Sequence, residues 1–459
     1  MTADPKFTAE TAHKAVFDYS DITRYLASEA ESRLVSDWTL LGGALGQASL
    51  ATPYNWRIPP IRQGDASLNQ LIINAGASGS GKGAGKEIVL EWPSKSVIEC
   101  DLEAGEQRLA DVLTPLTVAS GEAFGALFVE TQQIPDPTKS KGTISATVRI
   151  RQAAWVDFDE VDQVSAIGGR QGSTLTLEIR KAWSGNGIGT ITKVKANRAS
   201  APAHSYRLLV TVAAQPLRSG PLFAEEAGGT LQRCLWFDAE LPRVDEADLE
   251  DLDDEDGIMS PPLRVTLPDF GSGDAVRYFT VDASVRREVR RDSRLRRWEG
   301  PDSHRNLVKL KAAAAFAVLH GSTRISAEVW EVAEAIMFHS NATREAVKDK
   351  LAQAAHEANA NRALSRGRDA VTEASAREML LEKVCTAIEK GLKRPAHSGK
   401  ALSADQIRKA CVAPADRSLA ADAIDLLVSR DVLEPRGPNR KRFPTYALRT
   451  GETGKGEGA

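Results

Sequence analysis

"LIINAGASGSGKGAGKEIVL", residues 71–90, decides how the rest of the chain is read. An apolar run ends in a glycine-rich turn, and the turn ends in Lys82. Gly76, Gly81 and Lys82 stand at the G-x-x-x-x-G-K spacing of a phosphate-binding loop. Glycines let successive backbone N–H groups turn inward around phosphate oxygens. The lysine reaches the outer phosphates, and a following helix aims its positive N-terminal end at the anion. A strand over "QLIIN" and a helix after the loop are therefore expected. Gly76, Ser78, Gly79, Ser80, Gly81, Lys82 and Gly83 form the candidate ATP site. Gly83 stands where such loops carry the Ser or Thr that ligates Mg²⁺. Magnesium keeps several waters readily, so binding is expected to survive, with slower hydrolysis. A flexible glycine turn is the plain alternative.

Hydrolysis also needs a carboxylate for the metal and one that orients water. "AAWVDFDEVD" is an apolar run ending in Asp159 and Glu160, 77 residues beyond Lys82. Asp159 is read as the Mg²⁺ ligand and Glu160 as the general base, with Asp157 and Asp162 as near competitors. The next long run, "RLLVTVAAQP", ends in Gln215, a polar residue suited to a place near the γ-phosphate. It reads equally as a turn residue before Pro216.

Residues 163–207 hold seven basic residues against one acid, Glu178, in a chain of net charge −3. Arg170, Arg180, Lys181, Lys193, Lys195, Arg198 and Arg207 are the seven, set among glycines. They read as mobile loops that contact a nucleic-acid backbone, or as an exposed hairpin. Arg233, in "GGTLQRCLWF", is a candidate to reach the phosphates of a neighbouring subunit, or to form a structural ion pair.

The 459 residues exceed one compact core, so two to four domains are expected. Apolar content of 42% and charged content of 26% fit an ordinary globular chain and exclude a global charge argument for nucleic acid or membrane. Cys100, Cys234, Cys385 and Cys411 are far apart, which argues against a disulfide framework or a zinc site and for a reducing cytoplasm. The polar N-terminus is unlike a signal peptide, and no apolar run is long enough to span a membrane.

Residues 1–67 read as an N-terminal helical region, closed by the three prolines of "TPYNWRIPPIRQGD". Residues 68–281 alternate apolar runs with helical stretches, as expected of a largely parallel sheet flanked by helices. The runs are "LNQLIINAG", "KSVIECD", "PLTVAS", "TISATVRI", "AAWVDFDE" and "YRLLVTVAAQP". "DEADLEDLDDED", residues 245–256, holds nine acids and no base. It reads as a solvated insertion, with a nucleic-acid mimic as the sharper alternative. Residues 282–360 read as a helical lid, 361–375 as a linker and 450–459 as a disordered tail. Residues 376–449 read as three helices and a two-stranded wing tipped by Arg440, Lys441 and Arg442, the winged-helix plan. The third helix carries Arg417 and Arg430 near it but also Asp422 and Asp425, so DNA contact and protein docking both stay open.

"SLNQLIINAGASGSGKGAGKE", "WVDFDEVDQV" with "LEIRKAWSGNGIGT", "LLVTVAAQP", "GGTLQRCLWF" and "HRNLVKLKAAAAFAVLHG" occur in that order. The series resembles the P-loop ATPase core of phage and mobile-element replication proteins, the primase-helicase-associated group, over roughly residues 35–345. Only the phosphate loop is specific by itself. The resemblance implies a RecA/AAA+-like α/β core, a helical lid and a ring on DNA. No primase domain is expected in the residues before the core. The resulting expectation is a Mg²⁺-dependent ATPase acting on single- or double-stranded DNA, a helicase or translocase forming a homo-oligomer such as a hexameric ring. The alternatives are a nucleotide-controlled DNA-binding switch, acting as initiator or helicase loader with slow turnover, and a defence or regulatory ATPase.

Overall fold

The computed structural model describes residues 6–61, 64–93, 97–98, 107–135, 141–168, 174–190, 199–224, 229–241, 261–295, 302–438 and 443–449. The chain is mixed α/β and divides into two compact units, Met1–Ala354 and Ala355–Ala459.

The first unit is built on a four-stranded parallel sheet. Its strands are β1 (Gln70–Ala75), β2 (Ala153–Phe158), β3 (Arg207–Ala214) and β4 (Cys234–Asp238). Their spatial order is β4-β1-β3-β2. Val210 lies opposite Leu71 and Val156, and Asp238 opposite Ala75, so all four carboxyl ends share one edge. Helices cover both faces, which is why the strands read as unbroken apolar runs.

One face packs against α3 (Asp37–Ala51), which follows α1 (Ala9–Phe17) and α2 (Asp21–Ser32). The other packs against α4 (Val161–Gly168) and α5 (Leu175–Ser184). The Ile72 and Leu209 side chains meet α3, while Leu71, Ile73, Val210 and Val212, with Ile72 between them, line a cavity under α4 and α5. This is the alternation a pleated strand imposes.

Residues 1–67 are therefore not a separate region. Every residue of α3 after Asp37 is buried. Pro53, Pro59 and Pro60 turn the chain into the sheet rather than marking a domain boundary. Mid-helix glycines allow the fit. A Cβ on Gly43 would lie 2.2 Å from the Gly85 carbonyl oxygen, so two backbones touch there.

Three expected strands fall outside the parallel sheet. Thr143–Arg149 pairs antiparallel with Val129–Pro135, and Val97–Ile98 with Gln107–Arg108. Leu116 makes a single parallel bridge to Val156. Conversely, β4 is a sheet strand that the run around Arg233 conceals.

Beyond the sheet come α6 (Ala283–Leu295), α7 (Arg305–Leu319) and α8 (Ala327–Leu392). α7 is a core helix rather than part of a lid. Val308–Leu319 is buried, α7 packs on α3, and the Lys311 ammonium donates to the Asn69 carbonyl at 2.8 Å. The alanine-rich second half of the helix is apolar all round and belongs inside, and the buried Lys309 and Lys311 of its first half are each given a partner, Glu334 and the Asn69 carbonyl. Ser326 caps α8 as expected, its hydroxyl accepting the Val329 N–H at 3.2 Å. Residues 361–375, expected as a linker, are helical within α8. The stretch has no proline and is rich in alanine and arginine, both good helix formers.

The second unit combines the end of α8 with α9 (Ala404–Cys411) and α10 (Ala420–Ser429). Three antiparallel strands complete it: β5 (Leu402–Ser403), β6 (Leu433–Arg436) and β7 (Thr445–Leu448), in the order β5-β7-β6. Ser403 and Gln406 form the capping box. Val384, Ile388, Ile407, Ile424 and Leu433 form its core. The sheet has three strands rather than the two expected, because Leu402 pairs with Tyr446. Residues 245–256 and 450–459 lie outside the described residues, and no described helix is long and apolar enough to cross a membrane.

Candidate phosphate-binding site

The glycine loop leaves the carboxyl end of β1. The chain then passes over β3 to β2, returns to β3, and crosses to β4 on the far side of β1. A loop at such a reversal faces an open crevice, the usual ligand position in sheets of this kind. Gly76 N–H donates to the Ala214 carbonyl at 3.0 Å, and Ala239 N–H to the Ala75 carbonyl at 2.8 Å. Gly79 and Gly81 have φ of +83° and +79°, values that favour glycine. Ser78 and Gly79 are exposed, with open space around the Gly79 Cα. The Ser80 hydroxyl and the Asn74 side-chain oxygen are buried without a hydrogen-bond partner. The Ser80 hydroxyl, which can donate, and the glycine turn fit a phosphate group, whereas the Asn74 oxygen is an acceptor and does not.

The expected helix after the loop is absent. Lys82–Lys86 makes one 3-10 turn, and Glu87 is already extended. Gly83 and Gly85 weaken helix here, and the Gly85 backbone is held against α3. A five-residue turn carries little macrodipole, so anion binding would rest on loop N–H groups and Lys82. The Lys82 ammonium folds back onto the Ala77 carbonyl. Burial lowers its pKa, opposed by the charges of Glu160 and Glu240. Glu240 accepts the Ala77 N–H at 3.2 Å and pairs with Lys350 of α8 at 3.0 Å. A carboxylate thus takes an N–H of the phosphate loop.

One strand beyond β3, the acidic edge is tied back to the loop's turn by Lys86, a residue the spacing does not flag. Its ammonium lies 3.0 Å from the Asp157 carboxylate and also pairs with Asp159. Burial lowers the Lys86 pKa, but hydrogen bonds to Asp159 and Asp157 outweigh it and hold it above the ordinary value. The same hydrogen bond, with the Lys86 charge, lowers the Asp159 pKa. Asp157 is the more enclosed acid and accepts the Thr211 hydroxyl at 2.5 Å. Either carboxylate can hold a divalent cation once Lys86 moves aside. Glu160 is exposed, and Asp162 pairs with Arg218. Gln215 closes β3, where its carbonyl accepts the Arg218 N–H at 3.0 Å. Among the described residues, no group of three or more His, Cys, Asp and Glu side chains is placed to hold a metal.

α8 docks at the end of β4. Asp238 N–H donates to His339 Nε2 at 3.2 Å, and the His339 ring stacks on Trp38 at 3.8 Å. Burial, helped by the nearby His13, lowers the His339 pKa to about 3.

The remaining candidates lie apart from the loop. Arg233 precedes β4 at the amino end of the sheet, opposite the loop. It donates to the Gly229 carbonyl and its guanidinium lies 5.5 Å from the Trp183 ring centre. Burial, then the charge of Arg180, lowers its pKa. Arg180 and Lys181 sit on α5 rather than in a mobile loop, and Lys181 pairs with Glu178 at 2.7 Å. Arg207 is buried and donates to Thr52, Pro53 and Trp56 carbonyls and the Ser67 hydroxyl, so it cannot meet a nucleic acid. On α10, Asp422 and Asp425 are exposed, with Asp422 paired to Arg377 at 2.9 Å and the exposed Arg430 closing the helix, so that outer face is mixed in charge. Arg170, Lys193, Lys195, Arg198, Arg440, Lys441 and Arg442 lie outside the described residues.

Neither protein-family models nor curated proteins give a match to this chain.

Proposed function

We propose that the chain is a Mg²⁺-dependent ATPase acting on DNA, a helicase or translocase with a RecA/AAA+-like core, working as a homo-oligomer in phage or mobile-element replication. The observation that carries this reading is the placement of the Gly76–Lys82 loop. It leaves β1 at the crossover of the sheet, and Lys86 joins its turn to Asp157 on β2 and Asp159 just after it. The strand order supports it further, since β3, ending in Gln215, stands between the loop strand and the acidic strand. In this reading Lys82 and the loop N–H groups bind the phosphates of ATP. Asp159, with Asp157 beside it, would hold Mg²⁺, which supplies charge neutralisation on the phosphates. Glu160 orients water, and Gln215 faces the terminal phosphate. Arg233, before β4 at the end of the sheet opposite its own loop, would serve a neighbouring subunit. Three helices with a three-stranded sheet support a winged helix as the second unit. The test is ATPase rate with and without single-stranded DNA, for wild type and Glu160→Gln. DNA stimulation that the variant loses supports the motor. Turnover equal in both sinks it.

A second reading, a nucleotide-controlled DNA-binding switch with slow turnover, is favoured by Lys86, which pairs with both carboxylates, and by the missing hydroxyl at Gly83. Lys86→Met separates the two. The switch predicts faster turnover and tighter Mg²⁺ dependence once the ammonium is gone. A slower enzyme makes Lys86 part of the working site and removes this reading.

A further inference from the structure

Helix α6 carries Arg286, Arg287, Arg290, Arg291 and Arg294, and all five are exposed. At 3.6 residues per turn they fall within an arc of about 140°. Val285, Val289 and Asp292 bury the opposite side. No ion pair among the described residues uses any of the five. Glu288 pairs with Lys309 and Asp282 with Arg324, although the Arg286 charge also acts on Asp282, while Asp292 is turned inward. Arg290 reaches only a backbone carbonyl, that of Ile61, at 3.4 Å. The pairs Arg286/Arg290, Arg290/Arg294 and Arg287/Arg291 place like charges at i,i+4, which opposes the helix. The chain as a whole is net negative, so this face is not a by-product of basic composition.

The shape of the face selects its partner. The guanidinium groups diverge from a convex helix, so they do not converge on one small anion. Arg286, Arg290 and Arg294 step along the axis by about 6 Å each, a ladder for successive anions on a polymer. Guanidinium forks match phosphate oxygens two at a time. A lipid surface would also require an apolar face beside the cationic one, and on α6 the valines of that face are buried, with Leu295 the one large apolar side chain exposed on the helix.

We propose that α6 is a contact for a nucleic-acid phosphate backbone. The proposal rests on the reading that the protein acts on DNA, and names an element that the glycine-rich loops and the wing do not include. Val289 and Ser293 line a cavity of about 620 Å³ with Trp183, His304 and Asn306, next to Asp65 and Ala66, which lead into β1. The helix therefore sits at the amino end of the sheet, opposite the phosphate loop, and the two sites can be perturbed separately.

The test uses the full chain and the triple variant Arg287→Gln, Arg291→Gln, Arg294→Gln. Anisotropy of a fluorescent oligothymidylate is read across 50 to 200 mM salt, beside titration with a fluorescent ATP analogue. Removing three phosphate contacts should lower the slope of log affinity against log salt by about 2, with affinity at least about tenfold weaker. Binding of the ATP analogue should not change, and the matching Arg→Lys triple should keep most of the slope. A variant with wild-type DNA affinity and slope overturns the helix contact alone. A wild type that binds the ATP analogue but no DNA overturns both the contact and the DNA part of the functional reading. Loss of binding to phosphatidylserine vesicles, with DNA binding intact, assigns the face to lipid and also overturns the proposal.

Discussion

Gly43→Ala tests whether α3 holds the turn of the phosphate loop in place. On helix propensity alone, alanine in the middle of a helix should stabilise the protein by ~0.8–1 kcal/mol. The structure predicts the opposite sign. The new Cβ would stand 2.2 Å from the Gly85 oxygen and 3.0 Å from its carbonyl carbon, where ordinary contact begins at 3.4 Å. The neighbour is backbone, so no side chain can rotate away. Overpacking costs about 1–3 kcal/mol, and this contact belongs at the upper end. The net expectation is a loss of about 1–2 kcal/mol, seen as a lower urea midpoint at constant slope. Displacing Gly85 also carries Lys82 and Lys86 with it. Affinity for a fluorescent ATP analogue should fall about tenfold or more, equivalent to ~1.4 kcal/mol. A variant that is more stable than wild type, with unchanged analogue binding, would refute the packing of the loop against α3.

At Gly83 the outcome should differ, because a Cβ there meets only the Lys86 Cε, at 3.8 Å. Gly83→Ser should change stability by no more than about 0.5 kcal/mol, and turnover should equal or exceed wild type. Collapse of ATPase activity in that variant would sink the view that glycine merely weakens a metal site. Acid stability should report His339. Its pKa of about 3 in the folded chain lies below its ordinary 6.5, so the unfolded chain takes up the proton first. Stability is therefore present above pH 6.5 and lost as pH falls from 6.5 towards 3, by up to ~1.4 kcal/mol per unit. Urea melts of His339→Gln across that window should show a shallower slope, with His320, also lowered by burial, leaving a remainder. An unchanged slope refutes the assignment.

The glycine turn, β1, the strand before Asp159 and the strand before Gln215 are legible because each joins an apolar run to turn chemistry within a few residues. What escaped depends on contacts distant in sequence. Lys86 meets Asp157 across 71 residues, and no local spacing marks that pairing. β4 is short, and its "CLWF" reads as the surroundings of an arginine. The helix expected after the loop fails because Gly83 and Gly85 fill the turn. α3 was assigned to a separate region since three prolines follow it, although its row of glycines is the trace of a close approach. The basic residues after β2 drew attention as a count, and burial removed Arg207 from it. The arginines of α6 show a one-sided period that a count over another window passes by.

The meeting of Gly43 with Gly85 also sets where the chain can be cut. A fragment starting at residue 68 would keep every residue of the phosphate loop and the whole parallel sheet. It would also uncover Ile72, Leu209 and Phe237, the side chains that lie against the glycines of α3. A fragment that keeps this sheet covered must therefore begin ahead of Asp37 and run past Leu319, the end of the helix that packs on α3.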